Sequence, residues 1–170
     1  DYGSLSQVPP MKSALIALKR RAGRNNQGRI TVRHRGGGVK RAYRLIDFKQ
    51  NDKIGISAKV ETLEYDPNRS AFIMKVLYRD GERRYLLAPS GIEMESEIIT
   101  AEDAPLIVGN RSALKNIPVG YSVHNIEFQP KKGGQIVRGA GSEAQILAHD
   151  AGYTQLKLPS GETRKVLSEC

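Results

Sequence analysis

Tryptophan is missing from this chain, and Cys170 is its only cysteine. A single thiol excludes an internal disulfide and any cysteine-built metal site, and it fits a reducing compartment. The three histidines, His34, His124 and His149, do not pair at metal-ligand spacing. No apolar run approaches the roughly 20 residues of a membrane span. The start, Asp1-Tyr2-Gly3-Ser4, carries no signal-peptide pattern, and Leu167-Ser168-Glu169-Cys170 ends without terminal punctuation. The ends therefore read as cuts from a longer chain. Serines and acids are scattered without a nucleophile or paired-acid arrangement, so no catalytic residue and no cofactor is expected.

Negative charge is what the first fifty residues lack. They hold twelve Lys+Arg against two Asp+Glu, while residues 51–170 hold fifteen against sixteen. From Lys19 to Arg44 there are ten basic residues and no carboxylate. So uneven a field seeks a polyanion. Arginine dominates that stretch, and its fork suits phosphate oxygens and base edges. The alternative is a solvated edge strand with gatekeeping charges, but solubility needs less charge than this. Nucleic-acid binding is the reading, with RNA favoured over DNA.

Seventeen glycines and eight prolines favour short strands over long helices. Residues 1–22 read as an extended basic arm with Pro9-Pro10, in which Ala14–Ala22 has the pattern of two helical turns. Ile30, Val32 and His34 alternate with Arg29, Arg33 and Arg35, which predicts a strand with one basic face. The arm and the Gly36-Gly37-Gly38 loop, crowded with like charge, are expected to be mobile without RNA. Strand patterns continue through Ala42–Phe48 and Ile54–Val60. The apolar parity then shifts to Leu63, which predicts a bulge near Glu61-Thr62. Asp66-Pro67-Asn68-Arg69-Ser70 is a turn by chemistry, and Asp80-Gly81 joins strands 71–78 and 83–88 as a tight hairpin. About five strands in residues 29–88 match an OB-type barrel. A boundary falls near Val108-Gly109-Asn110, giving units 23–108 and 109–170. Five further patterns (121–128, 135–140, 143–149, 153–158 and 162–167) suggest a small SH3-like barrel. The fold class is all-β.

Candidate contacts follow from the loops. Arg24, Arg29, Arg33, Arg35, Lys40, Arg41 and Arg44 flank the triple glycine, which fits neither a P-loop nor a dinucleotide fingerprint. His34 lies among arginines; it is either packed in a strand or free to stack on a base. Arg69 sits at the tip of its turn. Lys131, Lys132 and Arg138 lie on a second basic, glycine-rich loop, whose plainer reading is a solubilised mobile loop. Few aromatics accompany these residues, which argues for structured RNA over generic single strands.

Longer strings carry a family resemblance. Gly23-Arg24-Asn25-Asn26-Gln27-Gly28-Arg29-Ile30-Thr31-Val32-Arg33-His34-Arg35-Gly36-Gly37-Gly38, followed by Lys40-Arg41-Ala42-Tyr43-Arg44-Leu45-Ile46-Asp47-Phe48, closely resembles the bacterial-type large-subunit ribosomal protein L-two family. The likeness continues in Glu64-Tyr65-Asp66-Pro67-Asn68-Arg69-Ser70, Asp80-Gly81-Glu82-Arg83-Arg84-Tyr85, Asn116-Ile117-Pro118-Val119-Gly120, Val123-His124-Asn125-Ile126-Glu127 and Leu158-Pro159-Ser160-Gly161-Glu162. It implies an OB-type barrel followed by an SH3-like barrel. It also implies direct binding of large-subunit rRNA beside other ribosomal components, with Arg69 and Arg138 as key contacts. Subunit assembly and association, tRNA placement and support of the peptidyl-transferase region are implied too, on a cytoplasmic or organellar ribosome. No membrane and no small-molecule substrate is implied. Val39 stands where many relatives have His, and their long basic tail lies beyond Cys170, so no peptidyl-transferase residue is placed on this chain. The alternatives are an OB-type translation factor or RNA chaperone for single strands, and an enzyme using the glycine loop on a phosphorylated ligand.

Overall fold

The computed structural model describes residues 2–170. Among them the regular structure is strands and three short 3-10 turns (Lys12–Ala14, Asn51–Lys53 and Leu114–Asn116). Ten strands form three sheets. β1 (Leu15–Ala17) pairs antiparallel with β2 (Ala42–Arg44). β3 (Ser57–Glu64), β4 (Ile73–Tyr78), β5 (Arg83–Leu87) and β6 (Glu97–Ile99) form an antiparallel sheet in the order β5-β4-β3-β6. β7 (Ser122–Val123), β8 (Ala144–Asp150), β9 (Tyr153–Lys157) and β10 (Thr163–Leu167) form the third, in the order β10-β9-β8-β7. The architecture is an OB-type barrel followed by an SH3-like barrel, with an extended basic arm in front.

Period-two alternation explains the first barrel. Met74, Val76 and Tyr78 of β4 and Leu86 of β5 face one core, with Ala58, Val60 and Ile98. Ile73, Tyr85 and Leu87 point the other way and meet Ala14, Met11, Ile46 and Phe48. This part of the sheet is buried on both faces because Met11, Ala14, Ile46 and Phe48, which flank β1 and β2, cover the second. A bulge between Val60 and Thr62 adds Glu61 to β3. It keeps Leu63 in the first core although Leu63 is an odd step from Val60, as its parity in the sequence predicted. It thereby turns Glu64 to the second face, where Tyr85 Oη donates to Glu64 Oε2 at 3.0 Å. The second barrel closes around Leu114, Ile126, Ala144, Ile146, Leu156 and Val166.

Several local expectations are corrected. Ala14–Ala22 is not helical: Leu15–Ala17 is strand β1, recruited by pairing with Ala42–Arg44. Residues 29–35 form no strand. Ile30 makes one isolated bridge with Arg24, Arg33-His34 is a turn, and His34 has φ +58°. Arg29, Arg33 and Arg35 therefore share no strand face. Residues 135–140 and 121–128 contribute only the Ile126–Ile136 bridge and the two-residue β7. Strand β6 had no counterpart in the sequence reading. The arm is extended, yet it is strapped down rather than loose. The Tyr2 ring packs edge-on against Tyr65 and Phe72, Ser6 N–H donates to the Leu63 carbonyl at 2.8 Å, and Met11 N–H donates to Tyr85 Oη at 2.9 Å. No helix among the described residues is long and apolar enough to cross a membrane.

Candidate nucleic-acid interface

The basic stretch folds as a small lobe without a core of its own. The Gly23 carbonyl organises it, accepting from Thr31 N–H (2.8 Å), Val32 N–H (3.1 Å) and Thr31 Oγ1 (3.2 Å). Gly23 has φ +71°, and a Cβ there would lie 2.2 Å from the Val32 carbonyl oxygen, so only glycine fits. Arg20, Arg21, Arg35, Gly36 and Gly37 line an open groove beside it. Arg20 Nη1 donates to the Gly37 carbonyl at 2.9 Å and holds the triple-glycine loop against the lobe.

Arg24, Arg29, Arg33, His34, Arg35, Lys40 and Arg41 are all exposed. Arg24 donates to the Ala22 carbonyl, and Arg41 Nη1 reaches the Pro67 carbonyl at 2.9 Å, tying the loop to the Asp66–Ser70 turn. None of these residues has a carboxylate ion-pair partner within the described chain. Their charge is available to an outside anion, the condition for a salt-sensitive polyanion contact.

Arg44 is different. Its side chain is 13% exposed and faces two buried carboxylates, with Nε 3.8 Å from Glu64 and Nη1 3.6 Å from Asp66. Nε has no hydrogen-bond partner. Asp66 has no exposure and accepts from Arg69 Nε at 2.6 Å and from Asn68 N–H at 3.0 Å. Two carboxylates are thus met by two arginines, as burial of charge demands. Arg69 lies over the Tyr43 ring at 5.6 Å and the Phe48 ring at 5.9 Å. Burial opposes the Arg69 charge, but the Asp66 carboxylate and the Tyr43 hydroxyl overcome this and raise its pKa above the ordinary arginine value.

The second loop arrives at the same place. Glu127 anchors it by accepting from Lys131 N–H (2.9 Å), Gly133 N–H (2.8 Å) and Arg111 Nη2 (2.8 Å). Gly134 N–H donates to the Phe48 carbonyl at 3.0 Å, and Asn51 Nδ2 donates to the Lys131 carbonyl at 2.5 Å. A Cβ on Gly134 would lie 1.9 Å from Asn125 Oδ1, so no side chain fits there. Lys131 and Lys132 are exposed. Arg138 is exposed too and lies over the Phe48 ring at 4.6 Å. Ala140 N–H donates to Ser70 Oγ at 3.2 Å. Arg69 and Arg138, 69 positions apart in the sequence, therefore meet on one aromatic ring. Arg20, Arg21, Arg111 and Phe48 were not singled out from the sequence. Arg20 and Arg21 had a signal, since both lie in the carboxylate-free run; Arg111 and Phe48 had none.

Residues 11–100 match the family model for ribosomal proteins L2, RNA-binding N-terminal domain. Residues 107–170 match the one for the ribosomal proteins L2, C-terminal domain. The chain belongs to the ribosomal protein L2 family. Its role is that of a structural, RNA-binding constituent of the ribosome, and its partners are large-subunit rRNA and other ribosomal components. In the L2 frame the charged lobe and the Arg69 turn fall within the match to the RNA-binding domain, while Arg138 falls within the match to the C-terminal one.

Proposed function

We propose that this chain is the two-barrel rRNA-binding core of a large-subunit ribosomal protein, working by position and charge without chemical turnover. The arm 1–22 precedes the barrels 23–108 and 109–170, and the two barrels fix the relative direction of the basic loops that grip RNA. Arg24, Arg29, Arg33, His34, Arg35, Lys40 and Arg41 form the first contact, around a glycine loop whose lack of side chains lets backbone approach RNA closely. Arg69 and Arg138 form the second, with Lys131 and Lys132 beside them. Arg44 serves from behind, balancing Glu64 and Asp66. Phosphate contacts set register, and the tertiary shape of the RNA supplies selectivity. By holding rRNA near the peptidyl-transferase region, the core supports subunit assembly, subunit association and tRNA placement, on a cytoplasmic ribosome or its organellar equivalent. The observation that carries this reading is the convergence of arginines from both family domains on Phe48.

The test is a salt titration of binding to a structured large-subunit rRNA fragment, beside an unstructured RNA of equal length. The expected outcome is a preference for the structured RNA that survives physiological salt. Equal affinities that collapse together would overturn the reading in favour of an RNA chaperone for single strands.

A further inference from the structure

Phe48 does more than fill volume. Its ring packs against the second core of the first barrel, beside Ile73, Tyr85 and Leu87. Its carbonyl accepts from two donors of the other barrel, Gly134 N–H at 3.0 Å and Arg111 Nη1 at 3.0 Å. A Cβ on Gly133 would come within 2.9 Å of that same carbonyl oxygen, so the approach of the two backbones is as close as glycine permits. The ring then carries one guanidinium from each barrel, Arg138 at 4.6 Å and Arg69 at 5.9 Å.

We propose that Phe48 is the positioning residue that sets the spacing of Arg69 and Arg138, so that both engage a single sharp bend of RNA backbone. This rests on reading those two arginines as RNA contacts. A guanidinium held by a ring face gives up none of its N–H groups, which leaves them for phosphate oxygens. Arg69 otherwise donates through Nε to Asp66, and Arg138 makes only a 3.4 Å contact from Nη1 to the Gly134 carbonyl. The two guanidinium carbons can be no farther apart than the sum of their distances to the ring. The ring makes the two contacts one unit, which two independent surface arginines would not be.

Coupling is what distinguishes this role from packing. Binding to a structured large-subunit rRNA fragment is measured for R69A, R138A and the double variant, each with Phe48 and with F48L, and circular dichroism reports the folded state. F48L is expected to weaken binding by about ten-fold, and F48Y, which keeps the ring face, to stay within about two-fold of the parent. With Phe48, the losses from R69A and R138A should be non-additive; with F48L they should add. If F48L itself lowers the folded fraction, the Phe48 background decides alone, and additive losses there overturn the proposal. So does F48L binding at parental strength, or F48Y failing as badly as F48L. If neither R69A nor R138A changes affinity, the underlying reading of the site fails, and the inference with it. If both weaken binding but add, only the role of Phe48 fails.

Discussion

Asp66, with no solvent exposure, separates what a residue does for folding from what it does for RNA. It sits between Arg44 and Arg69. Removing it leaves two largely buried guanidiniums short of a counter-charge. Asp66→Ala should therefore cost about 3–5 kcal/mol of stability, measured by urea denaturation. Arg69→Ala removes one of those two guanidiniums, buried to the same degree as Arg44, but leaves Asp66 facing Arg44 and accepting from Asn68 N–H. It should spare the fold, checked by the same denaturation, and weaken rRNA binding by about 1–3 kcal/mol, as should Arg138→Ala. A parental affinity for either variant would strike that residue from the interface. The sequence made Arg69 visible because the Asp-Pro-Asn-Arg turn puts a side chain at a tip. It did not distinguish Arg44 from Arg41. They lie three positions apart in the same basic run, and what buries Arg44 is a pair of carboxylates twenty or more positions away.

At the scale of elements, alternation was informative only where a sheet existed to receive it. The β3 bulge was legible because burial of Ala58, Val60 and Leu63 forces a parity change. Residues 29–35 alternate just as well, yet Ile30 is 61% and Val32 51% exposed. No strand lies alongside, so the hydrogen bonds of Thr31 and Val32 turn back to the Gly23 carbonyl. The same logic inverts for Leu15–Ala17, where pairing with β2 overrides a weak helical pattern. Strand β6 escaped notice because only Ile98 of its three residues is buried. The lobe thus hangs on Gly23. Gly23→Ala should open residues 20–36 to limited proteolysis while the barrels keep their thermal transition, because the added Cβ strikes backbone and not a movable side chain. RNA binding should fall with it. A digestion pattern identical to the parent's would show that the lobe does not depend on this carbonyl.

Across the whole molecule, acids and bases are sorted. The exposed arginines and lysines of the first lobe lack carboxylate partners among the described residues, whereas ten of the fourteen ion pairs lie within residues 47–115. Arg84 alone engages Asp47 at 2.7 Å, Asp52 at 2.5 Å and Glu82 at 2.7 Å, and Lys53 lies between Asp80 and Glu82. The hydrogen bond from Arg84 holds the Asp52 pKa down at about 2. Asp80 is lowered chiefly by Lys53, Glu82 by Arg84, Glu61 by Arg83 and Glu102 by Lys115. A carboxyl whose pKa is lower when folded stabilises the fold above its ordinary pKa and loses that contribution as pH falls through the folded value. These groups should therefore leave the melting temperature level from pH 7 to about 5, then let it fall from about pH 4.5 towards 2. Most of them are solvent-exposed, so 1 M salt should flatten the part owed to pairing. Acid also removes the compensation for 27 Lys and Arg, and repulsion within the lobe adds to the loss. A polyanion bound to the lobe opposes that repulsion. Adding the rRNA fragment should raise the melting temperature most at low salt, and more at pH 4–5 than at pH 7, because uncompensated positive charge grows as the carboxyls protonate. Thermal scans over a grid of pH and salt, with and without RNA, check both effects. A melting temperature at pH 3 and low salt equal to that at pH 7 would show that the ion pairs hold nothing together. An RNA shift indifferent to salt would show that charge is not what binds.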